Sequence, residues 1–134
     1  MRNINRIVIH CADTYPSMDI GRKEIDQWHR ERGWNGIGYH YVVRRNGTIE
    51  VGRPESVQGA HVSGHNEDTI GIVYAGGKGN DGKPEDNRTY EQRSGLLLLV
   101  NDLKRRYPGV NVVGHHDLDP VKACPCFNAK AEYA

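Results

Sequence analysis

A chain of 134 residues, 37% hydrophobic and 26% charged, is long enough to bury one core and too short for a string of domains. Its 18 Lys and Arg stand against 17 Asp and Glu, and a net charge of +1 provides no general field to draw in nucleic acid or anionic lipid. The longest apolar run, Leu96 to Val100, is far too short to cross a bilayer, so membrane insertion is not expected.

The elements follow in order. Arg6 to Cys11 reads as a buried strand, with Ile7, Ile9 and Cys11 on one face and Val8 and His10 on the other. A strand starting this early leaves no room for the charged and apolar regions of a signal peptide. The expectation is a product made and kept in the cytoplasm, one that needs help to reach any substrate beyond the membrane. Gly21 to Arg32 reads as a helix, because Ile20, Glu24, Ile25 and Trp28 recur at helical spacing and Gly33 supplies a stop. Tyr39 to Arg45 and Thr48 to Val51 form a hairpin about Asn46-Gly47, a pair suited to the positive-φ positions of a type I′ turn. Thr69 to Tyr74 is a further buried strand, followed by a polar, glycine-rich loop from Gly76 to Asn87. Thr89-Tyr90-Glu91-Gln92 is a capping box opening a helix that runs to about Tyr107 and ends at Pro108-Gly109, with Gly95 inside it at some cost. Asn111 to Gly114 is a last short strand that delivers His115. Strands and helices alternate without repeat or linker, which predicts a single α/β domain with a central mixed β-sheet flanked by helices.

The chemistry concentrates near the end of the chain. His115, His116, Lys122, Cys124 and Cys126 fall close together in a loop with almost no apolar filling, turned by Pro120 and Pro125. The cysteines, with Cys11 the third, are an odd set that argues against a disulfide framework; a reduced compartment or a metal-held thiol fits better. Two imidazoles and a thiolate, from His10, His115 and Cys124, would make a zinc site with one open position, the pattern of a catalytic metal rather than a structural one. On these residues alone, a satisfied core histidine at position 10 and a merely polar terminal loop are equally good readings.

The motifs add a resemblance. Ile9-His10-Cys11-Ala12-Asp13-Thr14, Glu24-Ile25-Asp26-Gln27-Trp28-His29, Gly33-Trp34 and Gly38-Tyr39-His40-Tyr41 resemble the type 2 N-acetylmuramoyl-L-alanine amidases, in particular those of T-odd bacteriophages. So do Arg45-Asn46-Gly47-Thr48, Gly52-Arg53, Gly59-Ala60-His61, Asn66, Ile70-Gly71-Ile72, Gly114-His115-His116 and Lys122-Ala123-Cys124-Pro125, in colinear order from about Arg6 to Lys130. The family shares its fold with the peptidoglycan recognition proteins of animals.

The resemblance implies that residues 1–134 are a single zinc amidase catalytic domain, holding one Zn2+ on His10, His115 and Cys124. It implies that Tyr39 and Lys122 are catalytic and that the loops of His61 and Asn66 face the substrate. The implied reaction is hydrolysis of the amide between the lactyl group of muramic acid and L-alanine in peptidoglycan, as in a phage endolysin or prophage cousin. The expected partner is peptidoglycan or a muropeptide, with no nucleic acid and a monomeric state.

Three features depart from the family pattern. Val73 follows Ile70-Gly71-Ile72 where many members carry a glutamate, a candidate general base. The loop from His116 to Lys122 is one residue longer than in the phage amidases. The arm before the first strand is shorter than in T-odd phage relatives, where it binds RNA polymerase, so that role is not carried over. Of the other histidines, His29 is expected at the surface, His40 and His116 in structural roles, and His65 in the groove or in solvent. Cys11 is expected in the core, and the Lys-x-Cys spacing favours Cys124 over Cys126 as ligand. The rival functions are a non-catalytic peptidoglycan binder, a regulator of a cytoplasmic partner, and a cytoplasmic amidase that recycles muropeptides.

Overall fold

The computed structural model describes residues 2–134. Its centre is a five-stranded sheet in the order β3-β2-β4-β1-β5. The strands are β1 (Arg6–Cys11), β2 (Tyr41–Val43), β3 (Ile49–Val51), β4 (Thr69–Tyr74) and β5 (Asn111–Gly114). β1 pairs in parallel with β4 and β5, β2 in parallel with β4, and β3 runs antiparallel at the edge. The sheet is therefore mixed, as the order of strands and helices predicts.

The two long helices, α1 (Arg22–Glu31) and α2 (Tyr90–Arg106), cover opposite faces. Strand alternation decides which side chains each receives. Ile7, Ile9, Ile70, Ile72 and Tyr74 pack with Leu96, Leu99, Val100 and Leu103 of α2. Val42 and Val73 pack with Ile20 and Ile25 around α1. Both central strands are buried on both faces, which is why they read as continuous apolar runs. Two single-turn helices complete the chain, α3 (His115–Leu118) directly after β5 and α4 (Ala129–Glu132) at the end.

The capping box of α2 forms as its sequence predicts: the Thr89 hydroxyl accepts from Gln92 N–H, and the Gln92 side chain accepts from Thr89 N–H. Gly95 sits against the hairpin turn, where an added Cβ would lie 2.8 Å from the Gly47 carbonyl oxygen. The turn itself differs from the expected type I′. Gly47 has φ +86° but Asn46 does not have positive φ, and Gly47 N–H donates to Arg44 O while Arg44 N–H donates to Thr48 O. This is a three-residue loop with glycine in the left-handed position, and it leaves Arg45 free to reach inward to Ala75 O, Asn87 O and Gln92 Oε1.

Candidate metal centre and active site

The parallel pairing of β1 with β5 sets the first two candidate ligands side by side. Ile9 pairs with Gly114, so His10 and His115 are the next residues along neighbouring strands, and their ring centroids lie 4.7 Å apart. Both leave from the carboxyl ends of parallel strands, the edge where open α/β sheets bind ligands. Gly114 is required at this corner, since a Cβ there would stand 2.7 Å from Pro125 Cδ.

Cys124 reaches the same point because its loop is pinned on several sides. His116 N–H donates to Cys124 O at 2.9 Å, the buried Tyr74 hydroxyl donates to Pro125 O at 2.6 Å, and Cys11 N–H donates to Cys124 Sγ at 3.1 Å. One ligand-capable atom from each of His10, His115 and Cys124 then lies within 4.8 Å of the other two. A tetrahedral zinc with bonds of about 2.0–2.3 Å needs ligand atoms about 3.3–3.8 Å apart, so this donor set fits the ion once its side chains close by up to about 1 Å. Burial, then the neighbouring rings of His61 and His115, hold the His10 pKa well below the usual value; burial also lowers that of His115. Both imidazoles are therefore neutral at pH 7, the form a metal requires.

The other sequence candidates surround this cluster. Tyr39, entering β2, sets its ring edge-on to His10 with centroids 5.0 Å apart. Burial first, then Cys124 and Cys11, raise its pKa, so the phenol is protonated at neutral pH. Lys122 lines the same cleft of about 500 Å³ as His10, Tyr39, His115 and Cys124. His61 and Asn66 line an adjoining cleft with Tyr39 and His115, but the Asn66 carboxamide oxygen is already used, accepting from the backbone N–H groups of His61 and Val62. Val73 pairs with His10 across the sheet and is fully buried beneath α1, so the position of the family glutamate is an apolar contact here. Among the described residues, the metal-capable cluster contains no carboxylate.

Cys11, Cys126, His40 and His29 have defined surroundings outside the cluster. Cys11 packs in the core, its Sγ 3.8 Å from that of Cys126, whose thiol donates to Gly77 O. Contact with Cys124 first, and then burial, push the Cys11 thiol up to about 12. His40 is buried and structural: its Nδ1 accepts from Gly71 N–H and its Nε2–H donates to Val57 O. His29 is not at the surface, as expected from its place beside Trp28, but only 6% exposed, and its Nδ1 accepts from Gly38 N–H at 2.9 Å. A signal for this was available, because His29 follows the buried Ile25 at i+4 and so lies on the same inward stripe. Sequence reasoning also passed over Arg32, which lines both clefts and stands 5.7 Å from the Trp34 ring.

The profile of the family described as N-acetylmuramoyl-L-alanine amidase matches residues 1–127. The chain belongs to this amidase family. The amidase is 44% identical to the endolysin of Klebsiella phage KP32 over 126 residues, 94% of this chain and 83% of the relative. It is 42% identical to the endolysin of Escherichia phage T7 over 124 residues, 92% of this chain and 82% of the relative. Among solved structures it is similar to the N-acetylmuramoyl-L-alanine amidase LysC of Clostridium intestinale, with TM-score 0.81, 33% identity and coverage of 98% of this chain and 82% of that one. Drosophila PGRP-LB shares the fold at TM-score 0.78 and 22% identity, covering 98% of this chain and 80% of that one. The chain is thus an enzyme of the amidase class on the α/β scaffold that its sequence predicts.

Proposed function

We propose that this amidase uses one zinc ion, held by His10, His115 and Cys124, to hydrolyse the amide between the muramic acid lactyl group and L-alanine in peptidoglycan. The observation that carries the reading is the convergence of these three side chains at the carboxyl ends of adjacent strands, in a chain of this family. A zinc ion there supplies Lewis-acid activation of the scissile carbonyl and of the attacking water.

The chain's own groups do the rest. The Lys122 ammonium, a cation on the wall of the same cleft, stabilises the negative charge that builds on the carbonyl oxygen as water adds. The Tyr39 phenol, held protonated, donates to the departing amine of L-alanine. With Val73 in place of a carboxylate, no carboxylate base serves the site. The proton lost by the attacking water replaces the one that Tyr39 gives to the amine, so that one proton passes from water to the leaving nitrogen by way of the phenol. The loops of His61 and Asn66, which line the second cleft, face the substrate.

Residues 1–134 work as one catalytic domain and as a monomer. No described helix is long and apolar enough to cross a membrane. Because the relatives are named endolysins, the enzyme is assigned to degradation of the bacterial cell wall at lysis. It is made in the cytoplasm and reaches the wall through a pore formed by a partner protein. Digestion of purified peptidoglycan tests the reaction. New amino termini on L-alanine, dependent on zinc and lost in Cys124→Ser and Lys122→Ala, are the expected result. New reducing sugar ends, or no products from zinc-loaded enzyme, would overturn it.

A further inference from the structure

His61 was assigned above to the cleft wall, yet its two ring nitrogens both face inward. Its Nδ1 is 2.9 Å from Nε2 of His10, and its Nε2 is 3.2 Å from the hydroxyl of the fully buried Thr69. Thr69 Oγ1 is also 2.7 Å from the carbonyl oxygen of His65. A carbonyl can only accept, so the one hydroxyl proton of Thr69 goes to His65, and toward His61 the hydroxyl can only accept. The proton of a neutral His61 therefore sits on Nε2. Its Nδ1 is left with a lone pair, which must accept from Nε2–H of His10. His10 then has one nitrogen unprotonated, its Nδ1, and that atom is free to bind a metal.

The geometry points to His61 and Thr69 as positioning residues that fix His10 in its Nε2–H tautomer and so present Nδ1 to the zinc. The direction of the chain is set at its far end by a backbone carbonyl, which has no proton to give and cannot reverse it. Histidine ligands generally hold their orientation by donating the second N–H to a carboxylate, a carbonyl or water. Here the acceptor is another histidine, whose own tautomer is set by a threonine. The fold makes room for it: an added Cβ on Gly71 would lie 2.6 Å from Cγ of His61, so the strand glycine beneath the ring is part of the device.

The inference rests on the metal site proposed above, and its test separates the two. Long-range 1H–15N correlation spectra of the wild-type protein read the tautomer of each ring. The expected result is Nε2–H for His61 with and without zinc, and Nε2–H for His10 in the zinc-loaded protein; an Nδ1–H His61 in either state would overturn the assignment. Zinc affinity, measured by competition with a chromophoric chelator, is expected to weaken about tenfold in Thr69→Val and to recover in Thr69→Ser. Urea unfolding of the same variants separates loss of fold from loss of orientation. Zinc bound equally well by wild type and a folded Thr69→Val would overturn the relay alone. A wild-type protein that takes up no zinc would overturn the metal site itself, and with it the purpose assigned to the relay.

Discussion

At the scale of single residues, the proposed chemistry separates groups that hold a metal from groups that move protons. Tyr39 sets its ring against that of His10, and the proposed ligand set of His10, His115 and Cys124 does not include its phenol. Tyr39→Phe is therefore expected to lower kcat by about 10²–10⁴-fold, the usual worth of a positioned proton donor, while zinc content measured by mass spectrometry stays at one per chain. His29 makes a different kind of prediction. Burial first, then the charges of Arg32 and Arg53, bring its pKa to about 4 in the folded protein, from the ordinary value of 6.5. Between those values the unfolded chain binds more protons than the folded one, so stability rises with pH across the window and falls as pH drops from about 6.5 toward 4. Urea midpoints should follow that slope, and His29→Gln, which keeps an acceptor for Gly38 N–H without a titrating ring, should flatten part of it.

At the scale of elements, the two helices are held for different reasons. The α2 sequence carries its own start signal, and the Thr89 cap is formed by local atoms alone. Gly95 inside that helix looks like a weakness, since alanine is the better helix former by about 1 kcal/mol. The structure reverses the sign. Gly95→Ala would drive a methyl to 2.8 Å from the Gly47 carbonyl, a backbone atom that cannot swing aside. Denaturant unfolding of Gly95→Ala is expected to show a loss of stability, and a gain would mean the hairpin turn yields freely. The same contact explains why the hairpin glycine and the helix glycine belong together, which no local pattern indicates.

At the scale of the whole molecule, the proposed metal site joins distant parts of the chain. His10 is the penultimate residue of β1, and Cys124 comes from a loop more than a hundred residues later, held by its contacts to β1, β4 and α3. An ion bound there to the folded state alone stabilises it by about 2.7 kcal/mol when free zinc is a hundred times its dissociation constant. Removing zinc with a chelator should lower the melting temperature of the wild-type protein. Cys124→Ser should melt near the chelated value and show little further response. A melting temperature that ignores the chelator in the wild type would argue against a tightly held ion.

Much of this was legible before any coordinates, for identifiable reasons. Both central strands are buried on two faces, so Ile7-Val8-Ile9 and Ile70-Gly71-Ile72-Val73 declare themselves as apolar runs. Gly47 and the Thr89 box are local devices whose chemistry needs no partner. The candidate ligands were legible for another reason: the motifs around them run colinearly with a known family over nearly the whole chain. The burial of His29 was within reach of helical periodicity. The type of hairpin turn was not, because Asn-Gly serves both the two-residue and the three-residue loop, and packing of Arg45 and Gly95 selects between them.

The sequence by itself determined the α/β class, the element order and the residue types able to hold and serve a metal, because hydrophobic period, capping and turn chemistry act over a few residues. Only the tertiary structure decided that His10 and His115 stand side by side, that Val73 lies buried opposite His10 beneath α1, and that His61 turns inward to Thr69. Those depend on strand order and parallel register, which bring together residues from opposite ends of the chain and which no local propensity specifies.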